Sequence, residues 1–286
     1  MIPKKEAIVK LIKKAVTSVP KDVEEAIKTA FKEEDNDIAK IQLKNIIDNI
    51  ELAEKSGLPL CQDTGIPLFY IKINPSSSKV EIKKLEAVIE EGVREATEEI
   101  PLRPNVVDPI TRENRGNVGE KIPIFHYDFT EEDLFEVTFV PKGAGSENMS
   151  RLAILNPSDG LEGVKKFVLN TVEEAGGRPC PPTIIGVGIG GTSDFSCFLA
   201  KKALLRSLDK RNEREDIKRL EEELFEILND TGIGPMGLGG RTTVLGVHIE
   251  CADTHTASLP VAVNFQCWAA RRAVLREKED GVFEIV

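Results

Sequence analysis

Between Lys4 and about Ser56 apolar residues recur at helical spacing: Ile8, Leu11, Ile12 and Val16, then Val23, Ile27 and Phe31, then Ile38, Ile41, Leu43, Ile46, Ile47, Ile50 and Leu52. A stripe of that period buries one helix face and leaves the other to charged residues. The segment therefore predicts three helices. Pro20, followed by Lys21 and Asp22, separates the first two, "EEDND" caps the third, and Gly57 can end it in a left-handed turn. At "IPLFYIKI" the pattern changes. An aromatic and β-branched run that ends at the turn residues "NPSSS" predicts a strand.

A helix over about 79–99 follows, with Val80, Leu85, Val88, Ile89 and Val93 on one side. Ile100–Gly119 has three prolines, three arginines and little periodicity, the profile of a long ordered loop. The next elements are strands over about 122–129 and 134–140, a helix over 160–175, the strand-like "PTIIGVGIGG" and a helix over 194–206. "DKRNEREDIKRLEEELFEILND" predicts a solvated amphipathic helix with Ile217, Leu220, Leu224, Phe225 and Leu228 inward. The glycine-rich "GIGPMGLGG" leads to strands around 242–250 and 259–265. With no internal repeat and no low-complexity linker, the expectation is a single α+β unit over 1–286. Its helical N-terminal region (1–56) precedes mixed or antiparallel sheets surrounded by helices (57–286).

Composition narrows the function. The 286 residues are 41% hydrophobic and 30% charged, with a formal charge of -10, which gives no electrostatic reason to expect nucleic acid or an anionic membrane as partner. An anionic small substrate would need local positive charge. No apolar run approaches the roughly 20 residues that span a bilayer. The start, "MIPKKEAIVKLIKKAV", carries no signal-peptide core, so a cytoplasmic location is expected. The five cysteines (61, 180, 197, 251 and 267) are too sparse for a disulfide scaffold and read as reduced thiols or metal ligands.

The polar clusters fall between the predicted elements, where sites are usually built. Cys197 in "DFSCFLAKK" and Cys251 in "HIECAD" have apolar neighbours that explain them as packed thiols. Cys61 in "LCQDTG", Cys180 in "GRPCPP" and Cys267 in "NFQCWAARR" stand beside turns or strand ends, and the rigid backbone around Cys180 suggests a ligand. Three isolated thiolates suit neither a structural zinc, which favours close C-x-x-C pairs, nor a fully ligated four-iron cluster. A four-iron cluster held by three cysteines would keep one iron open as a Lewis acid.

"GVGIGG" matches G-x-G-x-x-G at Gly186, Gly188 and Gly191, but the acidic residue expected about 20 positions on is only Asp209, within the charged stretch. A non-catalytic dinucleotide- or anion-binding module is the reading this motif supports. The start of the following helix, capped by Thr192 or Ser193, could instead hold a carboxylate. In "PKGAGSEN", glycines 143 and 145 permit close backbone approach while Lys142, Ser146 and Asn148 can donate to an anion. His126 and His248 alternate within strands and read as structural; His255 lies in the turn "ADTHTASLP".

Together, "LCQDTG", "LRPN…DP…REN", "KGAGSEN", "RPCPPTIIGVGIGGTSD" and "HTASLPVAVNFQCWAARR", running from Leu58 to Arg272, resemble in order the α part of the class I, iron–sulfur-dependent fumarases and L-tartrate dehydratases. The resemblance implies a [4Fe-4S] cluster on Cys61, Cys180 and Cys267, and water addition to or removal from a C4 dicarboxylate, with fumarate/malate favoured over L-tartrate. It places Gln62, Arg103, Gly143, Gly145 and His255 at the substrate, with Asp63 and His255 as catalytic candidates. Asp63 adjoins a cluster ligand and could take part in a proton relay. Longer relatives continue into a second domain, whereas this sequence stops at "EDGVFEIV". The expectation is an α subunit that needs a β subunit, in an α2β2 assembly.

Overall fold

A computed structural model describes residues 2–76, 80–278 and 280–286. In chain order the helices are α1 (Lys5–Thr17), α2 (Lys21–Glu33), α3 (Asp37–Ser56), α4 (Ile82–Glu99), α5 (Ala144–Glu147), α6 (Gly160–Ala175), α7 (Ser193–Ala203) and α8 (Glu215–Asp230). The strands are β1 (Ile66–Ile73), β2 (Val106–Val107), β3 (Asn114–Gly116), β4 (Ile124–Phe129), β5 (Phe135–Lys142), β6 (Arg151–Leu155), β7 (Thr183–Gly191), β8 (Val244–Thr254), β9 (Leu259–Gln266), β10 (Ala273–Glu277) and β11 (Phe283–Ile285). Helices and mixed sheets make the chain α+β, as its periodicity predicts. Contacts divide it into two compact units, each discontinuous in sequence: 1–20, 49–144 and 271–286 in the first, 21–48 and 145–270 in the second.

In the first unit the strand order is β11-β10-β5-β1-β4, with β1 parallel to β4 and antiparallel to β5. Consecutive residues Pro67, Leu68 and Phe69 are buried, so both faces of β1 are covered there and "IPLFYIKI" reads as a nearly continuous apolar run. Phe69 is fully buried, and its ring centroid lies 4.9 Å from that of Phe139. Ile8, Leu11, Ile12 and Ala15 of α1 meet Leu85, Ile89 and Val93 of α4 and the sheet in one core. Each fully buried leucine, isoleucine or valine among them contributes roughly 1.5–3 kcal/mol relative to exposure. A Cβ on Gly92 would lie 2.6 Å from Ile8 Cγ2, so a glycine is needed for the two helices to approach this closely.

In the second unit the order is β6-β9-β7-β8. Alternate residues Ile185, Val187, Val247, Ile249, Val261, Val263 and Phe265 point to one face, which α6 and α8 cover through Val164, Val168, Val172, Ile217, Leu220, Leu224 and Leu228. The opposite face receives α7. A Cβ at Gly186 would lie 2.1 Å from Ala200 O, and one at Gly188 2.0 Å from Ser196 O. The glycines of "GVGIGG" thus let a helix backbone lie directly on β7.

Several elements were outside the sequence expectation. β6 is largely exposed and lacks clean alternation, and β10 and β11 are short, so none carries a strong periodic signal. The helix expected from about 79 begins at Ile82, with Lys79, and Ser77 and Ser78 of "NPSSS", outside the described residues.

Candidate active site

In the first unit, Leu60 fixes the chain just before Cys61. Its N–H donates to Val16 O at 2.9 Å, and its carbonyl accepts from Asn49 Nδ2 at 2.9 Å. Cys61 and Gln62 then emerge exposed. Asp63 turns the chain back: its Oδ1 accepts from Gly65 N–H at 3.0 Å, while Oδ2 accepts from Ala144 N–H at 2.7 Å. Hydrogen bonds to a charged acceptor of this kind are worth about 1.5–3 kcal/mol. Gly65 has φ +82, and a Cβ there would lie 2.6 Å from the carbonyl carbon of Pro141, so this turn into β1 requires glycine.

Thr64 joins this loop to the long segment 100–119. Its hydroxyl donates to Arg103 O at 3.3 Å and accepts from Arg103 N–H at 3.0 Å. Asn105 Nδ2 reaches Thr64 Oγ1 and Gly65 O at 3.3 and 3.2 Å, and Asn117 Nδ2 donates to Arg103 O at 3.2 Å. The backbone of Arg103 is therefore rigid while its side chain is exposed. Gly143 is buried, and a Cβ there would lie 3.2 Å from Asp63 Oδ2. Cys61, Gln62, Asp63, Arg103 and Gly143 thus form one neighbourhood, rich in cationic and amide donors suited to a carboxylate.

Cys180 and Cys267 come together in the second unit. Cys180 has φ +56, a conformation uncommon outside glycine, and its carbonyl accepts from Trp268 N–H at 3.2 Å. Cys180 N–H donates to Gly177 O at 3.1 Å, and the next residue's carbonyl, Pro181 O, accepts from Met236 N–H at 2.8 Å. "GIGPMGLGG" is thereby a brace for the Cys180 loop, with a Cβ at Gly237 only 2.5 Å from Gly177 Cα. Gly145 approaches the same loop, since its Cβ would lie 3.4 Å from Arg178 O. Both thiols are partly exposed.

His255 is exposed in the β8–β9 turn, where its Nδ1 accepts from Ala257 N–H at 3.1 Å. In the neutral ring this places the proton on Nε2.

Other candidates are accounted for by structure. Thr192 Oγ1 lies 2.6 Å from Asp194 Oδ1, and the backbone N–H groups of Asp194 and Phe195 bond that carboxylate, lowering its pKa. The start of α7 therefore carries its own anion rather than offering an empty carboxylate site. Lys142 and Ser146 are buried, as is His248, and His126 stacks on Tyr70 at 4.7 Å. Burial raises the Cys251 thiol to about 11 and also raises Cys197, so neither is poised as a thiolate.

Thr64, Asn105, Asn117 and Arg271 make hydrogen bonds within this neighbourhood without having been singled out in the sequence. Arg271 Nη2 donates to Asp63 O at 2.9 Å. The only signals were their places inside "LCQDTG", "LRPN", "RGNVG" and "QCWAARR". Among the described residues, no group of three or more His, Cys, Asp or Glu is gathered as a metal site. All five cysteines are free of disulfides. The donor chemistry and the Cys180–Cys267 pairing suit iron–sulfur ligation. Among the described residues no helix is long and apolar enough to cross a membrane.

The family model described as fumarate hydratase (Fumerase) matches residues 5–276. The chain is 51% identical over 279 residues to a putative L(+)-tartrate dehydratase subunit alpha of Methanocaldococcus jannaschii, covering 96% of this chain and 98% of that protein. It is 38% identical to a putative class I fumarate hydratase of Geobacillus stearothermophilus, over 93% of this chain and 53% of that protein. An L(+)-tartrate dehydratase subunit alpha of Escherichia coli is 36% identical, over 94% and 88%. A match over nearly the whole chain, on the segments that carry both cysteine neighbourhoods, shows that the chain belongs to the fumarate hydratase (Fumerase) family and is a hydro-lyase.

Proposed function

We propose that this chain is the α subunit of a [4Fe-4S]-dependent hydro-lyase that interconverts fumarate and malate together with a separate β subunit. The observation that carries the reading is the first unit's neighbourhood, where Thr64 and Asp63 tie Arg103 and the Gly143–Ala144 turn to the loop bearing Cys61. Cys61, Cys180 and Cys267 are the proposed cluster ligands. Such a cluster, held by three cysteines, supplies Lewis acidity at its remaining iron.

The chain's own residues supply binding and proton handling. Gln62, next to Cys61, and Arg103, whose backbone is tied to Thr64, are both exposed and bind the substrate carboxylates, and the Gly143 and Gly145 turn contributes backbone approach. Removing a proton from a carbon beside a carboxylate needs a base and stabilisation of the charge that develops. Asp63 is the proposed relay carboxylate, oriented by its two backbone donors, and His255 is held in one tautomer by Ala257. The β subunit completes the proton-transfer set. The assembly is α2β2, cytoplasmic, with no nucleic acid or membrane partner.

A second reading, L-tartrate dehydration, is favoured by the names of two relatives of similar length. Anaerobic reconstitution of the α–β pair with iron and sulfide, assayed with malate and with L-tartrate, tests both. Malate turnover and an absorbance band lost in Cys180→Ser are expected, with the α chain alone inactive. Turnover of L-tartrate without malate transfers the assignment to the second reading, and full activity of the α chain alone overturns the subunit requirement. An Asp63→Asn pair that keeps iron, partner and near-full turnover removes Asp63 from the relay.

A further inference from the structure

Arg271 lies in the first unit with 2% of its surface exposed. Its Nη2 donates to a neutral group, the Asp63 carbonyl, at 2.9 Å. Nε and Nη1 are buried and reach no acceptor among the described residues. A guanidinium brings a positive charge and five donors wherever it is buried. An unmatched buried charge destabilises a fold unless something of opposite sign approaches it.

The surroundings say where an anion would feel that charge. A Cβ on Gly143 would lie 3.7 Å from Arg271 Nη2 and 3.2 Å from Asp63 Oδ2. Asp63 Oδ2 is already engaged by Ala144 N–H and Oδ1 by Gly65 N–H. The guanidinium therefore stands against the Gly143 turn and behind Gln62–Asp63, two segments of the carboxylate-binding neighbourhood. With Nε and Nη1 enclosed, it acts through its field and through the loop it holds. In a poorly hydrated interior such a field persists over several ångströms.

We propose that Arg271 is a positioning residue of the dicarboxylate site. It fixes the Gln62–Asp63 backbone through the Asp63 carbonyl, and its charge, which no carboxylate hydrogen-bonds among the described residues, offsets that of the nearby Asp63 carboxylate and so favours a dianionic ligand at the Gly143 turn. This rests on the reading of the site given above.

The test uses the reconstituted α–β complex with Arg271→Met and Arg271→Lys. The readouts are melting temperature, iron content, KM and kcat, and calorimetric Kd for malate, L-tartrate and the monocarboxylate lactate. Arg271→Met removes a buried charge and also the donor to the Asp63 carbonyl, effects of opposite sign on stability, so melting should change little while Kd and KM for dicarboxylates rise about tenfold or more. Lactate affinity should change less. Arg271→Lys keeps the charge where the amine is protonated, which burial disfavours, so its Kd is measured at pH 6 and pH 8 and should stay within about threefold of wild type at the lower pH.

Unchanged dicarboxylate affinity in a folded Arg271→Met complex overturns the proposal. So does a purely structural pattern, in which melting falls, KM is constant and lysine gives no rescue. Should the methionine variant fail to fold, lysine decides, and a tenfold loss of affinity in folded Arg271→Lys that persists at pH 6 refutes the charge role. A wild-type complex that binds dicarboxylates without turning them over refutes the assigned reaction, while the Kd series still decides Arg271.

Discussion

The loops that carry Cys61 and Cys180 are held in opposite ways. Around Cys61 most of the anchors are side chains: the Asp63 carboxylate, the Thr64 hydroxyl, and the amides of Asn49 and Asn105. Around Cys180 backbone groups predominate, with Gly177, Trp268 and Met236 supplying partners, beside the Arg178 side chain, which donates to Ala175 O. Side-chain anchors make a loop sensitive to the identity of a few residues. Backbone anchors tolerate most side chains and fail where an added Cβ pushes two main chains apart.

That contrast predicts different failures. The largest effect should come from Gly237→Ala. Gly237 has φ +75, and its new Cβ would sit 2.5 Å from Gly177 Cα with no flexible atom to yield. Left-handed strain and overpacking together should cost about 2–4 kcal/mol. Thermal denaturation should show the drop, and reconstituted iron should fall with it. A change no larger than that of a surface substitution would mean that the glycine-rich brace does not support Cys180.

Asp63→Ala should do less to global stability, about 1.5–3 kcal/mol for both bonds together, because Asp63 is half-buried and Ala144 exposed, so water replaces part of what is lost and no backbones are forced apart. Its signature is local. Hydrogen exchange at Gly65 and Ala144 should accelerate, with Asp63→Asn intermediate because only one acceptor oxygen remains. Unchanged exchange at Ala144 would show that the Gly143–Ala144 turn is held by something else, and the side-chain half of the contrast would be lost.

The same contrast explains what the sequence revealed. Elements with a strong period were legible: α1 and α2 part at Pro20, α3 ends before Gly57, and β1 coincides with "IPLFYIKI". The cysteine neighbourhoods were legible through motif order. The anchors were not, because Thr64 and Arg103, 39 residues apart, meet only once the 100–119 loop folds back. "GVGIGG" shows the opposite problem. Its glycines were visible, but their reason, contact with the α7 backbone, depends on a helix whose docking no local pattern encodes.

Of the two bystander cysteines of the second unit, Cys251 provides the smallest and most selective test. Cys251 is pushed up to about 11, first by desolvation, against an ordinary value of 9.0. Below pH 9 its thiol is protonated in both the folded and the unfolded chain and adds no pH dependence. Between pH 9 and 11 the unfolded thiol ionises first, so folding stability falls as pH rises. Cys251→Ser should therefore flatten part of the alkaline decline in melting temperature while leaving the neutral-pH value nearly unchanged. In the apoprotein at pH 8, the thiolate fraction of Cys251 should be about 100-fold below that of an unperturbed thiol, with slow alkylation as the readout. Alkylation of Cys251 as fast as that of exposed Cys61 would show that burial does not separate bystander from ligand, leaving loop anchoring alone to make that distinction.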